Sequence, residues 1–431
     1  MPDRRSLIPP PTLPLVYFGL AHLALAVALA VLVVDPGLPT APGAGTRFLA
    51  LLHLVTLGWI SGSILGALYI VGPLALGVPM RAGILDSVTC GAFAGGLAGM
   101  VAGFWSSRFD IVSAGAAGVL GSVGWVGARI FGGLMHARLP KGVSLHIALA
   151  FVNVGLAGLV GLVMTLDTLG LHLSSLPLRW NAAHAHLGVL GWACMMIFGV
   201  GYRLVPMVVP AAMPSGASLG VSAVLLQAGT LGLAGALVGG WDVRPWGVLV
   251  LAAFASFFAH VLAMLRARRP PPADLPRPDW STRHTFLALS YGVAAAVLGA
   301  VLSFGEGTSS LIWAYSIAGL VGFVSQLVVG IQGRLLPLHA WYREMERLGG
   351  EPPPVSAHSL ASLPAARATF VLWFFGLPLL FIGVTMRDAP LVAAGAALLL
   401  AATLVNLWHG AAIVGRARRG GGPIGCSCAP R

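Results

Sequence analysis

Charge is what this chain has least of. Only 9% of its 431 residues are Asp, Glu, Lys or Arg, against about a quarter in a soluble domain. So few polar side chains cannot cover a globular surface, which leaves lipid as the solvent. Acids are scarcer than bases, 13 against 25, and Lys141 is the single lysine. The net charge of +12 is spread over short loops rather than gathered in a basic patch, so no nucleic-acid partner is expected. Four cysteines, Cys90 and Cys194 inside apolar runs and Cys426 and Cys428 in the tail, make no disulfide framework. The tail's Cys-Ser-Cys is also too small for a closed zinc site. The apolar runs lack the apolar–polar alternation of a transmembrane barrel. The first stretch, Met1 to Pro14, is polar and Pro-rich with no small-residue cleavage site after it, which reads as the absence of a signal peptide.

What the chain has is apolar runs, at about 13–34, 48–74, 84–105, 111–134, 143–169, 181–208, 216–239, 245–266, 284–304, 311–335, 366–386 and 389–415. Backbone groups in hydrocarbon need partners within their own segment, so each run predicts a helix. The expectation is an all-α, multi-pass membrane protein of about twelve transmembrane helices, with residues 1–431 forming a single membrane domain in the bilayer. With the N-terminus cytoplasmic, 18 of the Lys and Arg residues fall on the inner side and 5 on the outer. The positive-inside rule then puts both termini in the cytoplasm, in a bacterial inner membrane. The Pro-rich stretches 266–283 and 336–367 read as stiff linkers.

The second run matches the sixth. From His53 and from His186, taken as position zero, His, Leu at +1 and +4, Gly at +5, Trp at +6, Ile at +11, Gly at +13, Tyr at +16 and Pro at +20 coincide. The tenth run repeats the pattern more faintly from Ile317, with Gly322, Phe323, Val328, Gly330 and Pro337 in register. The offsets, 133 and 131 residues, are four helices each. They predict three tandem parallel repeats, 13–134, 143–266 and 284–415, about a pseudo-threefold axis. Glycines at +5 and +13 share one face and admit a close neighbour, helix or macrocycle. The proline at +20 is expected to end the helix.

Three four-helix units with histidines near the outer end of the second helix resemble subunit I of the heme–copper oxidase superfamily, which includes nitric-oxide reductases and non-catalytic relatives of the NnrS type. The segment His184-Ala-His186-LGVLGW through Tyr202-Arg-Leu-Val-Pro206 is similar to the His-x-His helix of the C-type oxidase catalytic subunit. The resemblance implies heme b as cofactor, with heme iron held through histidine. It also implies a role in respiratory or nitrogen-oxide metabolism, as an electron-transfer, sensing or protective component, with cytochrome c or quinol as redox partner. Where the family places its His-x-His, helix ten has Ser316 and Ile317, and helix seven (216–239) has no histidine. The dinuclear catalytic centre is therefore expected to be missing. Neither copper nor catalytic reduction of oxygen or nitric oxide is expected.

Ionisable groups inside a membrane mark functional sites, and imidazole is the usual axial ligand of a b-type heme. His53 and His186, equivalent in the repeat, are the expected pair on the iron. His184, two residues and about 200° away from His186, is expected to address a different interhelical gap. If His53 and His186 themselves face different gaps, each needs another partner, such as His22. His260 and His409 precede Arg clusters, where a histidine suits the helix dipole; a second inner heme or a quinol site is the sharper reading. His136, His146, His172, His284, His339 and His358 are expected to face solvent or headgroups. Asn153, Gln227, Gln326, Gln332 and Asn406 are expected to bond across helices. The alternative function is a transporter or assembly factor for copper, heme or a small solute.

Overall fold

The computed structural model describes residues 7–41, 45–171, 177–275 and 277–419. Among them are twelve helices long and apolar enough to cross a bilayer and no strand, so the chain is an all-helical, multi-pass membrane protein. The helices are α1 Leu13–Val34, α2 Thr46–Leu76, α3 Ile84–Trp105, α4 Phe109–Leu134, α5 Lys141–Gly170 and α6 Arg179–Val208, followed by α7 Ser218–Gly239, α8 Arg244–Arg266, α9 Trp280–Phe304, α10 Ser309–Arg347, α11 Leu363–Met386 and α12 Ala389–Arg418. The predicted runs match these to within a few residues, except at α10. That helix is 39 residues long and carries Pro337 inside it, so the proline does not end the helix and 336–347 is not a linker. An interior proline removes one backbone hydrogen bond, and the packed turn beyond it, with His339 and Ala340 buried, holds the helix together. The Cys426/Cys428 pair and His172 lie outside the described residues.

α2, α6 and α10 form the centre. Their spans are 61, 67 and 56% buried, against 50% or less for every other helix. Each carries an eight-residue π-helical segment, Leu54–Ser61, Leu187–Cys194 and Ala318–Ser325. All three run from +1 to +8 of the sequence repeat, and each touches the other two. π segments of this length are rare and need help with their wider turn. Ser61 and Ser325 at +8 supply it, donating to the carbonyls of Thr56 and Leu320 five residues back, 2.9 and 2.8 Å away.

The repeat glycines meet equivalent neighbours. A Cβ at the +13 glycine would press on Tyr17 at Gly66, on His146 at Gly199 and on His284 at Gly330; at +5 it would press on Ala24 at Gly58, Asn153 at Gly191 and Tyr291 at Gly322. In each case the two neighbours are seven residues apart on the preceding helix, so α1–α2, α5–α6 and α9–α10 cross alike. α12 packs on α1, as α4 does on α5 and α8 on α9, which closes the ring.

Candidate functional site

The N-terminal parts of α2 and α6 bring histidines together just ahead of their π segments. His53 Nδ1 donates to the Leu49 carbonyl at 2.7 Å, and His186 Nδ1 to that of Ala182 at 2.7 Å. His184 Nδ1 reaches across to α5 and donates to the Ala157 carbonyl at 2.9 Å. A carbonyl can only accept, so Nδ1 carries the proton in all three rings and Nε2 keeps its lone pair. None of these three Nε2 atoms has a hydrogen-bond partner among the described residues. A fixed Nδ1–H and a free, oriented Nε2 is the arrangement of a metal-ligating imidazole.

The pairing differs from the expected one. His53 faces His184, with ring centres 6.2 Å apart and planes tilted by 34°. His186 faces away, stacked at 6.3 Å on Tyr315 of α10. Position zero of one central helix thus meets position −2 of the next, because each helix presents its two ring positions to two different neighbours. Phe104 of α3 stacks on His53 at 4.9 Å. Gly161 of α5 gives the His184 ring its space: a Cβ there would lie 3.0 Å from Cε1.

The other predicted histidines have their Nε2 engaged. His22 Nδ1 donates to the Phe18 carbonyl and its Nε2 accepts from Asn406 at 3.0 Å. His260 meets the Ser256 carbonyl and Ser218 Oγ, and His409 Nε2 accepts from the Ser362 amide at 2.8 Å. His146, His284 and His339 are buried within the bundle and do not face solvent or headgroups. His146 and His284 lie against the repeat glycines Gly199 and Gly330, and His339 Nε2 donates to the Pro11 carbonyl at 3.2 Å. Of the five amides, Asn153 and Gln227 pair reciprocally at 2.7 and 3.1 Å. Asn406 bridges His22 and Gln332, and Gln332 reaches Ser63 at 3.2 Å. Gln326 has no partner at either side-chain atom.

The sequence reading missed a second polar centre. Asp86, buried at the start of α3, pairs with Arg129 of α4 and accepts from Tyr69 Oη at 2.8 Å, Trp125 Nε1 at 3.2 Å and the Gly83 amide at 2.7 Å. Arg129, an arginine inside an apolar run, was the available signal.

A six-coordinate heme iron needs two imidazole nitrogens about 4 Å apart, at about 2 Å from the metal, which puts the ring centres roughly 6 Å apart. The His53–His184 separation fits this requirement, and so does the chemistry of the donors. Among the described residues no group of three or more His, Cys, Asp or Glu side chains gathers as a metal site. No protein-family model matches the chain, and no curated protein matches it at a significant level.

Proposed function

We propose that this protein binds one b-type heme between α2 and α6, with His53 and His184 as axial ligands, and serves respiratory or nitrogen-oxide metabolism by electron transfer, sensing or protection. The observation that carries the reading is the His53–His184 pair, two partly buried imidazoles with both Nδ1 protons spoken for, both Nε2 without a partner among the described residues and ring centres 6.2 Å apart. Two imidazoles are too few for a closed bare-ion site and are the number that a porphyrin iron requires. The heme would supply a one-electron couple. The chain's own part is to hold both rings through the Leu49 and Ala157 carbonyls and to keep water away with Phe104. His186, paired with Tyr315, is left as a lone imidazole in the next gap.

The reading includes membership of the heme–copper oxidase-like superfamily. Its support is the common register of the three π segments, the matching glycine crossings and the ring closure of α12 on α1, all of which suit three parallel units about a pseudo-threefold axis. Both termini are placed in the cytoplasm by the arginine bias.

The test is the visible spectrum of the purified protein. A sharp Soret band with split low-spin α and β bands supports the proposal. A colourless protein from heme-replete cells overturns it and favours the transporter or assembly-factor reading.

A further inference from the structure

The sequence scatters its arginines over many loops, but the fold gathers several at one end of the bundle. Arg343 and Arg347 lie in the last turns of α10, and Arg416, Arg418 and Arg419 end α12, which packs on α10. Two acids lie among them. Glu344 is taken up by Arg347, whose guanidinium donates to both carboxylate oxygens at 2.6 to 3.0 Å. Glu346 is exposed, and of the charges acting on Arg343 the repulsion from Arg418 outweighs the attraction of Glu346. The ion pairs among the described residues include none of Arg343, Arg416, Arg418 and Arg419. A helix C-terminus favours cations. That accounts for arginines at each end, but not for two of them from different helices set against one another.

Arg343 and Arg418 line one cavity of about 80 Å³. Arg347 extends its charged wall, and Leu15 of α1, Ala340 of α10 and Val414 of α12 make its apolar wall. The volume suits a single phosphate group and excludes a drug-sized ligand, which takes about 300 Å³ or more. The cavity lies at headgroup depth. Arg418 stands within one turn of the end of the apolar run 389–415. α10, with 39 residues and a length of about 58 Å, outruns a hydrocarbon core of about 30 Å. From Leu15 towards the bilayer centre, α1 exposes Val16, Leu23, Val27 and Val34. Spacings of seven, four and seven residues put them on one face.

We propose that this cavity holds the phosphate of an acidic phospholipid, bridging Arg343 and Arg418, with the acyl chains along the exposed stripe of α1. The planar N–H fork of a guanidinium matches phosphate oxygens. One anion between two guanidinium groups turns their repulsion into two attractions. Basic pockets between transmembrane helices are established headgroup sites in general. A free phosphate offers the same oxygens, but the apolar wall and the stripe beneath it suit only a lipid. The ring of helices closes between α12 and α1 without a connecting loop, and the bound lipid joins α10, α12 and α1 at that seam. The inference needs neither the heme nor the orientation of the chain.

The test titrates the full-length protein, delipidated in neutral detergent, with phosphatidylglycerol and with phosphatidylcholine of the same chains. Native mass spectrometry reads bound lipid, and thermal unfolding reads stability. One retained phosphatidylglycerol per chain, a raised melting temperature and much weaker phosphatidylcholine are expected. Arg343→Gln and Arg418→Gln each weaken the acidic lipid about tenfold or more, the worth of one hydrogen bond to a charged group. Arg268→Gln, at an exposed arginine after α8, leaves it unchanged. Removing either cavity arginine relieves repulsion, so the lipid-free melting temperature of both variants holds or rises, which separates lost binding from lost fold. Equal retention of the two lipids overturns the proposal, as does equal weakening by Arg268→Gln. Inorganic phosphate that displaces the lipid at the same concentration assigns the cavity to a free anion and overturns the lipid.

Discussion

The gap between α2 and α6 and the gap between α6 and α10 are built alike and end differently. Both set a position-zero histidine against the −2 residue of the next helix, ahead of a π segment that begins one residue later. In the first gap that residue is His184, in the second Tyr315. The first gap therefore presents two imidazoles, and the second one imidazole and one phenol. The scaffold decides where a ligand can stand, and a single side chain decides whether a second one faces it.

The largest expected effect breaks the first gap. His53→Ala and His184→Ala each abolish low-spin heme, while His186→Ala keeps most of it, measured as pyridine hemochrome per protein. Loss of heme in His186→Ala with retention in His184→Ala would falsify the pairing and restore the His53–His186 arrangement. Tyr315→His sharpens the same comparison from the other side. It gives the second gap its missing imidazole, and heme content is expected to rise from one towards two per chain; an unchanged content shows that the gaps differ in more than that residue.

Next in size is the polar centre of the first unit. Asp86→Asn keeps the shape of the carboxylate but leaves Arg129 uncompensated, 22% exposed in its side chain. Removing one partner of a buried ion pair typically costs about 3–5 kcal/mol. Thermal unfolding in detergent reads this as a large drop in melting temperature, with both proposed heme ligands still in place. A drop no greater than that of a surface Asp35→Asn control shows that the pair is not a keystone of the unit.

Most of the fold was legible because hydrocarbon restricts the backbone so severely that composition alone marks the spans. The match between α2 and α6 stands out in the sequence because His, Trp and Tyr are rare, 12, 12 and 6 of 431 residues. What the alignment could not give was the partner of His53. The residue two positions from His186 points about 200° away from it, and only the crossing of α2 and α6 shows which ring faces which gap. Pro337 misled for a related reason, since packing after it outweighs the local signal to stop. Asp86 and Arg129 were each visible, but 43 residues apart nothing in the sequence joins them.

The smallest expected effect bears on the repeat itself. Position +8 is Ser61, Cys194 and Ser325 in the three central helices, buried in each. The two serines donate to the carbonyl five residues back, which the wider π turn exposes. If the three segments are equivalent, Cys194→Ser finds the Val189 carbonyl waiting in the same place. The new hydroxyl is then satisfied, and stability changes by no more than about 1 kcal/mol, the usual net worth of one hydrogen bond. Cys194→Ala loses volume and gains no bond, so it should be the less stable of the two. Thermal unfolding of the pair decides the matter. Were serine to cost more than alanine, its hydroxyl would be buried without an acceptor, and the second π segment would not share the geometry of the first and third.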